Sequence, residues 1–319
     1  MTEDYCQASG YAELYERFCG EVLSNNYCFL ITHDLTEIRK KQYGYYYYPN
    51  EKEITLNDIF TIGYNKKFFY DCFDTETNIE KFINIFTNNH LSGYPYQSLL
   101  DDSIVYQNYN TFHWALGTTG LAAGNTLEEA LVQGCSEMFE RIAINKFFHE
   151  LQDTYYIIDQ QTLNAELQER LSLLKANGYE ITLFDLSYNF NLPVCLIILY
   201  NPMYQMYYYN FGSSPIYDIA IERCITEIYQ GFCSLPTDLK LIPYDNHNGD
   251  KYVNITYHGI LSNNNEIVDM SFVFQNIKIK PINLNIFLNA QKYSNIELLE
   301  QIKFILRNNN YHFRWLNIS

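Results

Sequence analysis

Positive charge is scarce in this sequence. Lys and Arg number 21 against 37 Asp and Glu, leaving a net charge of −16 over 319 residues. Binding a duplex or a single strand rests on neutralising phosphates with Lys and Arg, so this balance argues against a nucleic-acid partner. A nucleotide held through a metal ion remains compatible with it. The eight cysteines (Cys6, Cys19, Cys28, Cys72, Cys135, Cys195, Cys224 and Cys233) contain no C-x-x-C pair. Most lie in apolar surroundings, which favours buried free thiols over disulfides or zinc sites. The N-terminus lacks the basic and apolar regions of a signal peptide. No apolar run approaches the ~18 residues of a membrane helix. The expectation is a cytoplasmic protein without a membrane partner. No Pro/Gly/Ser-rich linker divides the chain, so one domain over 1–319 is expected. The phosphate-loop consensus, the Rossmann glycine fingerprint and any recognisable Cys/His or Ser/His/Asp spacing are also absent.

What is present is an ordinary globular composition, 47% hydrophobic and 18% charged, able to bury a substantial core. Hydrophobic periodicity predicts helices over 8–24, 126–150, 216–233 and 296–307, and one over "LNAELQERLSLLKANG" that Gly178 would cap. Strands are expected at 27–33, in "YEITLFDLS", "LPVCLIILY" and "QMYYYNFGS", and in "YVNITYH" and "FVFQNIKIK". Segment 50–90 reads as mixed and ends in a helix near "NIEKFINIF". This mixture implies an α+β fold, a largely antiparallel mixed sheet flanked by helices. His113 and His149, both in aromatic contexts, read as packed histidines.

Three of the helices carry the same oddity. At 100° per residue, Ser9, Glu13, Glu16 and Arg17 share one face, with Tyr11, Leu14, Tyr15, Phe18 and Val22 opposite. In the second helix Glu129, Glu137, Glu140 and Arg141 cluster against Leu127, Leu131, Cys135, Met138 and Ile142. In the third, Arg223, Glu227 and Gln230 oppose Ile221, Ile225, Ile228 and Phe232. Each alone reads as a solvated charged face with local ion pairs, and Thr126 with Glu129 fits a capping box. The recurrence carries more weight. "AELYERF" (Ala12–Phe18) and "SEMFERI" (Ser136–Ile142) share one pattern, which suggests an internal pseudo-repeat. Carboxylates gathered this way raise one another's pKa values, and hard Mg²⁺ would relieve the conflict while also taking phosphate oxygens. The loop "GTTGLAAGN" before the second helix offers backbone N–H groups to an anion.

The segments "QASGYAELYERF", "GLAAGNTLEEALVQGCSEMFERIA" and "YDIAIERCITEIYQG" resemble, in order and spacing, three signature segments of the YcaO family, covering roughly residues 7–233. The resemblance implies an ATP-dependent enzyme that phosphorylates a peptide amide oxygen as a nucleophile adds to its carbon. The product is an azoline, a thioamide or an amidine, according to the nucleophile. It implies Glu13, Glu16, Glu137, Glu140 and Glu227 as Mg²⁺ ligands. Ser9, Asn125, Glu129, Arg141 and Arg223 would contact ATP, with the two arginines on its phosphates as the catalytic cations. No residue stands out as a general base.

Two departures shape the expectation. The chain reaches its first signature helix within a dozen residues, where family members carry a further N-terminal segment with a basic residue. Part of the nucleotide pocket is therefore expected to be missing or supplied by another chain. The last proline is Pro281, and azoline-forming members tend to end in a Pro-rich tail, which shifts the expectation toward thioamide formation or a divergent role. The partners implied are a peptide or protein substrate and a leader-binding or accessory protein, and a homodimer is compatible with the sequence. The rival reading is a degenerate YcaO-like subunit that binds nucleotide or peptide without catalysis.

Overall fold

The structure, a computed structural model, describes residues 3–24, 50, 52–60, 70, 75–87, 92–109, 118–188, 190–232, 239–262, 265–275, 278–282 and 293–316. These fall into two compact units, one comprising Met1–Leu131 with Leu306–Ser319 and the other Val132–Ile305. The strand expected at 27–33 and His113 lie outside the described residues.

In the first unit, strand β2 (Ser92–Ser98) is the centre of a small antiparallel sheet. It pairs with β1 (Lys52–Glu53), with β3 (Ile104–Gln107) and with β11 (Arg314–Trp315). Helices α1 (Glu3–Ser24), α2 (Leu56–Phe60) and α3 (Glu76–Thr87) accompany it. Ile54, Ile59 and Ile79 form a small core, with Phe60, Tyr70 and Tyr106 packed on it.

The second unit is built on a five-stranded sheet ordered β10 (Lys278–Ile282), β4 (Thr154–Ile158), β5 (Glu180–Asp185), β6 (Val194–Asn201) and β7 (Met206–Ser213). Every pairing is antiparallel except that of β10 with β4. Alternation along β6 sends Cys195, Ile197 and Leu199 to one face, where they join Leu167, Leu171 and Leu174 of helix α5 (Ala165–Ala176) and Ile221, Cys224 and Ile225 of helix α6 (Tyr217–Phe232). Aromatic rings fill against helix α4 (Leu127–His149), whose Phe147 meets Phe148, Tyr155, Phe211 and Phe272. A short parallel pair, β8 (Lys240–Ile242) with β9 (Glu266–Val268), and helices α7 (Gly249–Ser262) and α8 (Asn295–Asn308) complete the described elements.

The α+β class and the largely antiparallel mixed sheet are as the sequence implies. Gly178 follows α5 with φ +87°, and its N–H donates to Lys175 O at 2.9 Å, the left-handed ending that favours glycine. Both copies of the recurring heptapeptide lie inside helices, α1 and α4.

Three expectations need correction. "YVNITYH" is helical, within α7, because Tyr252, Val253 and Ile255 find burial at helical spacing and Tyr252 packs on Phe148 and Tyr244. Tertiary packing overrides its β-branched content. "FVFQNIKIK" divides into a 3₁₀ turn at Met270–Phe274 and strand β10. The apolar face of α1 is not the covered one. Tyr11, Leu14, Tyr15 and Phe18 are all exposed, and the half-buried positions Ala12, Glu16 and Cys19 mark the inner side.

Candidate functional site

The recurring acidic pattern places Glu16 on the inner side of α1, and the structure gives it a use. Its Oε1 accepts from the backbone N–H of Ala123, in the glycine-containing loop, at 2.6 Å. The loop expected to present amides to an anion thus presents one to a carboxylate of its own chain. Glu13 is exposed and accepts from Arg17 Nε and Nη2 at 3.0 and 2.6 Å, an ordinary i, i+4 pair. Ser9 belongs to α1, but its side chain lies outside the described residues.

The same loop feeds α4. Glu129 N donates to Thr126 Oγ1 at 3.2 Å, which makes Thr126 the N-cap. The reciprocal half of the expected capping box is displaced by one residue. Glu129 Oε2 accepts from the backbone N and Nδ2 of Asn125, at 3.0 and 3.2 Å, instead of from Thr126. Gly124 is required here, since a Cβ on it would stand 2.6 Å from Ala130 N.

In the second unit, α4 and α6 bring Glu137, Glu140, Arg141, Arg223 and Glu227 within electrostatic reach of one another. The placement of α6 follows from Gly212 of β7, where a Cβ would meet Ala220 O at 2.3 Å and Cys224 N at 2.7 Å. The helix therefore lies close on the strand, and its polar face reaches the strand's end. Arg223 Nη1 donates to Ser213 O at 2.8 Å, while its Nη2 donates to Gln133 Oε1 of α4. Arg141 Nη2 donates to Glu137 Oε1 at 3.2 Å.

Glu140 departs from the expected solvated face. It is buried, alongside Phe139, Ala143 and Ile144 on the covered side of α4, while Leu127 on the supposedly apolar side is exposed. Burial pushes its carboxyl well above the usual range, and the charges of Glu227 and Glu137 push the same way against Arg141 and Arg223. Glu227 is also raised, chiefly by desolvation, while Arg141, Arg223 and a hydrogen bond from Asn210 favour its charged form. By accessible surface the Glu227 side chain is exposed, so water still reaches it, and the direction of its shift is upward. Among the described residues no three His, Cys, Asp or Glu side chains are placed to cage a metal by themselves.

Gln133, Asn210 and Ser213 O are polar partners that the sequence reading missed. Each acts across elements, and Gln133 alone stood inside a recognised segment. Cys135, Cys195 and Cys224 are buried free thiols, and burial raises all three. His149 is exposed rather than packed, bridging Asn145 O at 2.9 Å and Asp250 Oδ1 at 3.1 Å. No helix among the described residues is long and apolar enough to cross a membrane.

A mixed α+β fold with carboxylates and guanidinium groups interleaved on two helices has the donor chemistry for a hard cation and for phosphate oxygens. The chain belongs to the YcaO family: the family profile described as YcaO cyclodehydratase, ATP- and Mg²⁺-binding, matches residues 1–305. It is 30% identical over 224 residues to the ribosomal protein S12 methylthiotransferase accessory factor YcaO of Escherichia coli strain K12, covering 67% of this chain and 38% of that protein. It is 29% identical over 265 residues to an uncharacterised protein of Haemophilus influenzae, covering 79% of this chain and 43% of that one. The alignments thus span about two fifths of the length of these relatives. A solved heterocyclase in complex with substrate and cofactor shares the fold at a TM-score of 0.51 and 19% identity, over 73% of this chain and 31% of that one.

Proposed function

We propose that this chain binds MgATP and activates a backbone amide of a ribosomally made peptide or protein, in the manner of an ATP-dependent cyclodehydratase or thioamide synthase. The observation that carries this reading is the gathering of Glu137, Glu140, Arg141, Arg223 and Glu227 in one unit, with Glu140 and Glu227 both pushed toward the neutral form. A carboxylate set that resists ionisation alone is relieved by a divalent cation, and two arginines beside it are placed for phosphate.

In this reading Glu137, Glu140 and Glu227 hold Mg²⁺, and the family pattern assigns Glu13 and Glu16 the same ligand type. Arg141 and Arg223 bind phosphate oxygens and stabilise the charge that grows there, while Ser9, Asn125 and Glu129 contact ATP. Bound MgATP supplies the phosphoryl group that makes the amide oxygen a leaving group. The residues of the chain orient and neutralise, and no side chain is assigned as general base. An accessory protein that captures the substrate's leader belongs to the same proposal.

Transfer of label tests it. Peptides rich in Cys, Ser and Thr and carrying ¹⁸O in their backbone amides are incubated with the protein, ATP and Mg²⁺, with and without sulfide. Amide activation moves ¹⁸O into the released phosphate. Phosphate released without label from a peptide that is nonetheless modified would refute the proposed chemistry.

A further inference from the structure

Tyr257, on α7, touches Arg141 twice. Its hydroxyl donates to the Arg141 carbonyl oxygen at 3.0 Å. Its ring also lies beneath the guanidinium, with Cζ 4.5 Å from the ring centroid. On its own helix Arg141 donates through Nη2 to Glu137 at 3.2 Å, and among the described residues its buried Nε meets no hydrogen-bond acceptor. An arginine so lightly tethered keeps rotamer freedom worth up to ~2 kcal/mol, which it must lose on meeting a ligand. A ring under one face removes much of that freedom in advance. The guanidinium donors lie in its plane, so stacking occupies a face and leaves the donor edges available.

Helix α7 is itself anchored to α4 at a distance from Tyr257. Asp250 Oδ1 meets His149 Nε2 at 3.1 Å, and in the segment before α7 Tyr244 donates from its hydroxyl to Phe148 O at 2.9 Å. A Cβ on Gly249 would stand 2.6 Å from His149 Cδ2, so the imidazole packs closely on the start of α7. Contact passes from 149 with 250 to 141 with 257, in opposite directions along the two chains. The helix therefore lies back along α4 toward the acidic residues and delivers Tyr257 to Arg141.

We propose that Tyr257 is a positioning residue for the nucleotide's phosphates, holding the Arg141 guanidinium in the orientation in which it meets a phosphate oxygen. This rests on the assignment of Arg141 to phosphate made above. Tyr257 lies outside the three segments through which the sequence resembles its family, and it acts through Arg141 without itself touching the nucleotide.

Calorimetric titration of MgATP into the full chain provides the test, using wild type, Y257F, Y257M, R141Q and R141Q/Y257M. Y257M keeps volume and loses the ring; Y257F keeps the ring and loses the hydroxyl. The expected result is a Kd about fivefold weaker in Y257M at unchanged stoichiometry, with Y257F within about twofold of wild type. R141Q/Y257M should bind no more weakly than R141Q, because the tyrosine acts only through the arginine. A Y257M Kd equal to wild type overturns the proposal, as does a double variant in which the two losses multiply. A lowered stoichiometry or thermal midpoint in Y257M, with Kd unchanged in the folded fraction, also overturns it by reducing Tyr257 to a packing role. If wild type fails to bind MgATP, the assignment of Arg141 falls first and this inference with it, an outcome distinct from indifference at position 257.

Discussion

Glu227 of α6 opposes the ionisation of Glu140 of α4, adding its charge to the burial that already holds Glu140's carboxyl well above the ordinary carboxylate range. The folded protein therefore keeps a proton that the unfolded chain gives up from about pH 4.5 upward. Unfolding then releases a proton, so the stability of the metal-free protein falls as pH rises from the unfolded value through the raised folded one. Urea midpoints measured across pH 5 to 8 should decline, and E140Q should flatten the decline by on the order of 1 kcal/mol at the upper end. A midpoint that rises over this range in the metal-free wild type would contradict the account of Glu140.

Millimolar Mg²⁺ with ATP should reverse that slope. Ligation requires the carboxylates to be deprotonated, so affinity grows with pH and binding releases protons. Calorimetry in buffers of different ionisation enthalpy would report proton release per MgATP bound. Proton uptake on binding would be the contrary result.

Glu13 and Glu16 should separate in stability measurements. Glu13 pairs with Arg17 on an exposed helix surface, and E13A should cost less than about 0.5 kcal/mol. Glu16 accepts from the Ala123 amide at 2.6 Å in a half-buried setting, and E16A should cost about 1.5–3 kcal/mol. Equal effects in denaturant titrations would mean that the Glu16–Ala123 bond contributes nothing to holding the loop.

At Gly212 an added methyl group has no room, since Ala220 O and Cys224 N would both stand within 3 Å of it. G212A should force α6 from β7 and destabilise by about 1–3 kcal/mol. Because Arg223 reaches Ser213 O from that helix, MgATP affinity should fall as well, though no site residue is changed. A wild-type Kd in G212A would mean that the seat of α6 does not govern the site.

Much of this was legible from local pattern. Helices α4, α5 and α6 show clean starts and stops, and the strands from Glu180 to Ser213 alternate or run apolar between turn residues. The recurrence of "AELYERF" and "SEMFERI" singled out Glu13, Glu16, Glu137 and Glu140. What pattern could not give was direction. The exposed Tyr11, Leu14, Tyr15 and Phe18 look like a core face, and Glu140 looks like a solvated one. Helical periodicity separates two faces without saying which is covered. Gln133, Asn210 and Tyr257 were missed because each acts on a partner distant in sequence, as when Tyr257 reaches the Arg141 carbonyl. The helix over Tyr252–His258 was hidden by its β-branched residues, while Tyr252 packs on Phe148 and Tyr244, partners distant from or outside the segment.

The most direct test of the central claim is an equilibrium titration of MgATP into wild type and E140Q/E227Q, with thermal unfolding confirming that the variant is folded. The account predicts saturable, Mg²⁺-dependent binding by wild type and at least tenfold weaker binding by the variant, since the lost carboxylates are the cation's ligands. A folded variant that binds MgATP as tightly as wild type would show that these residues are not the metal–nucleotide site.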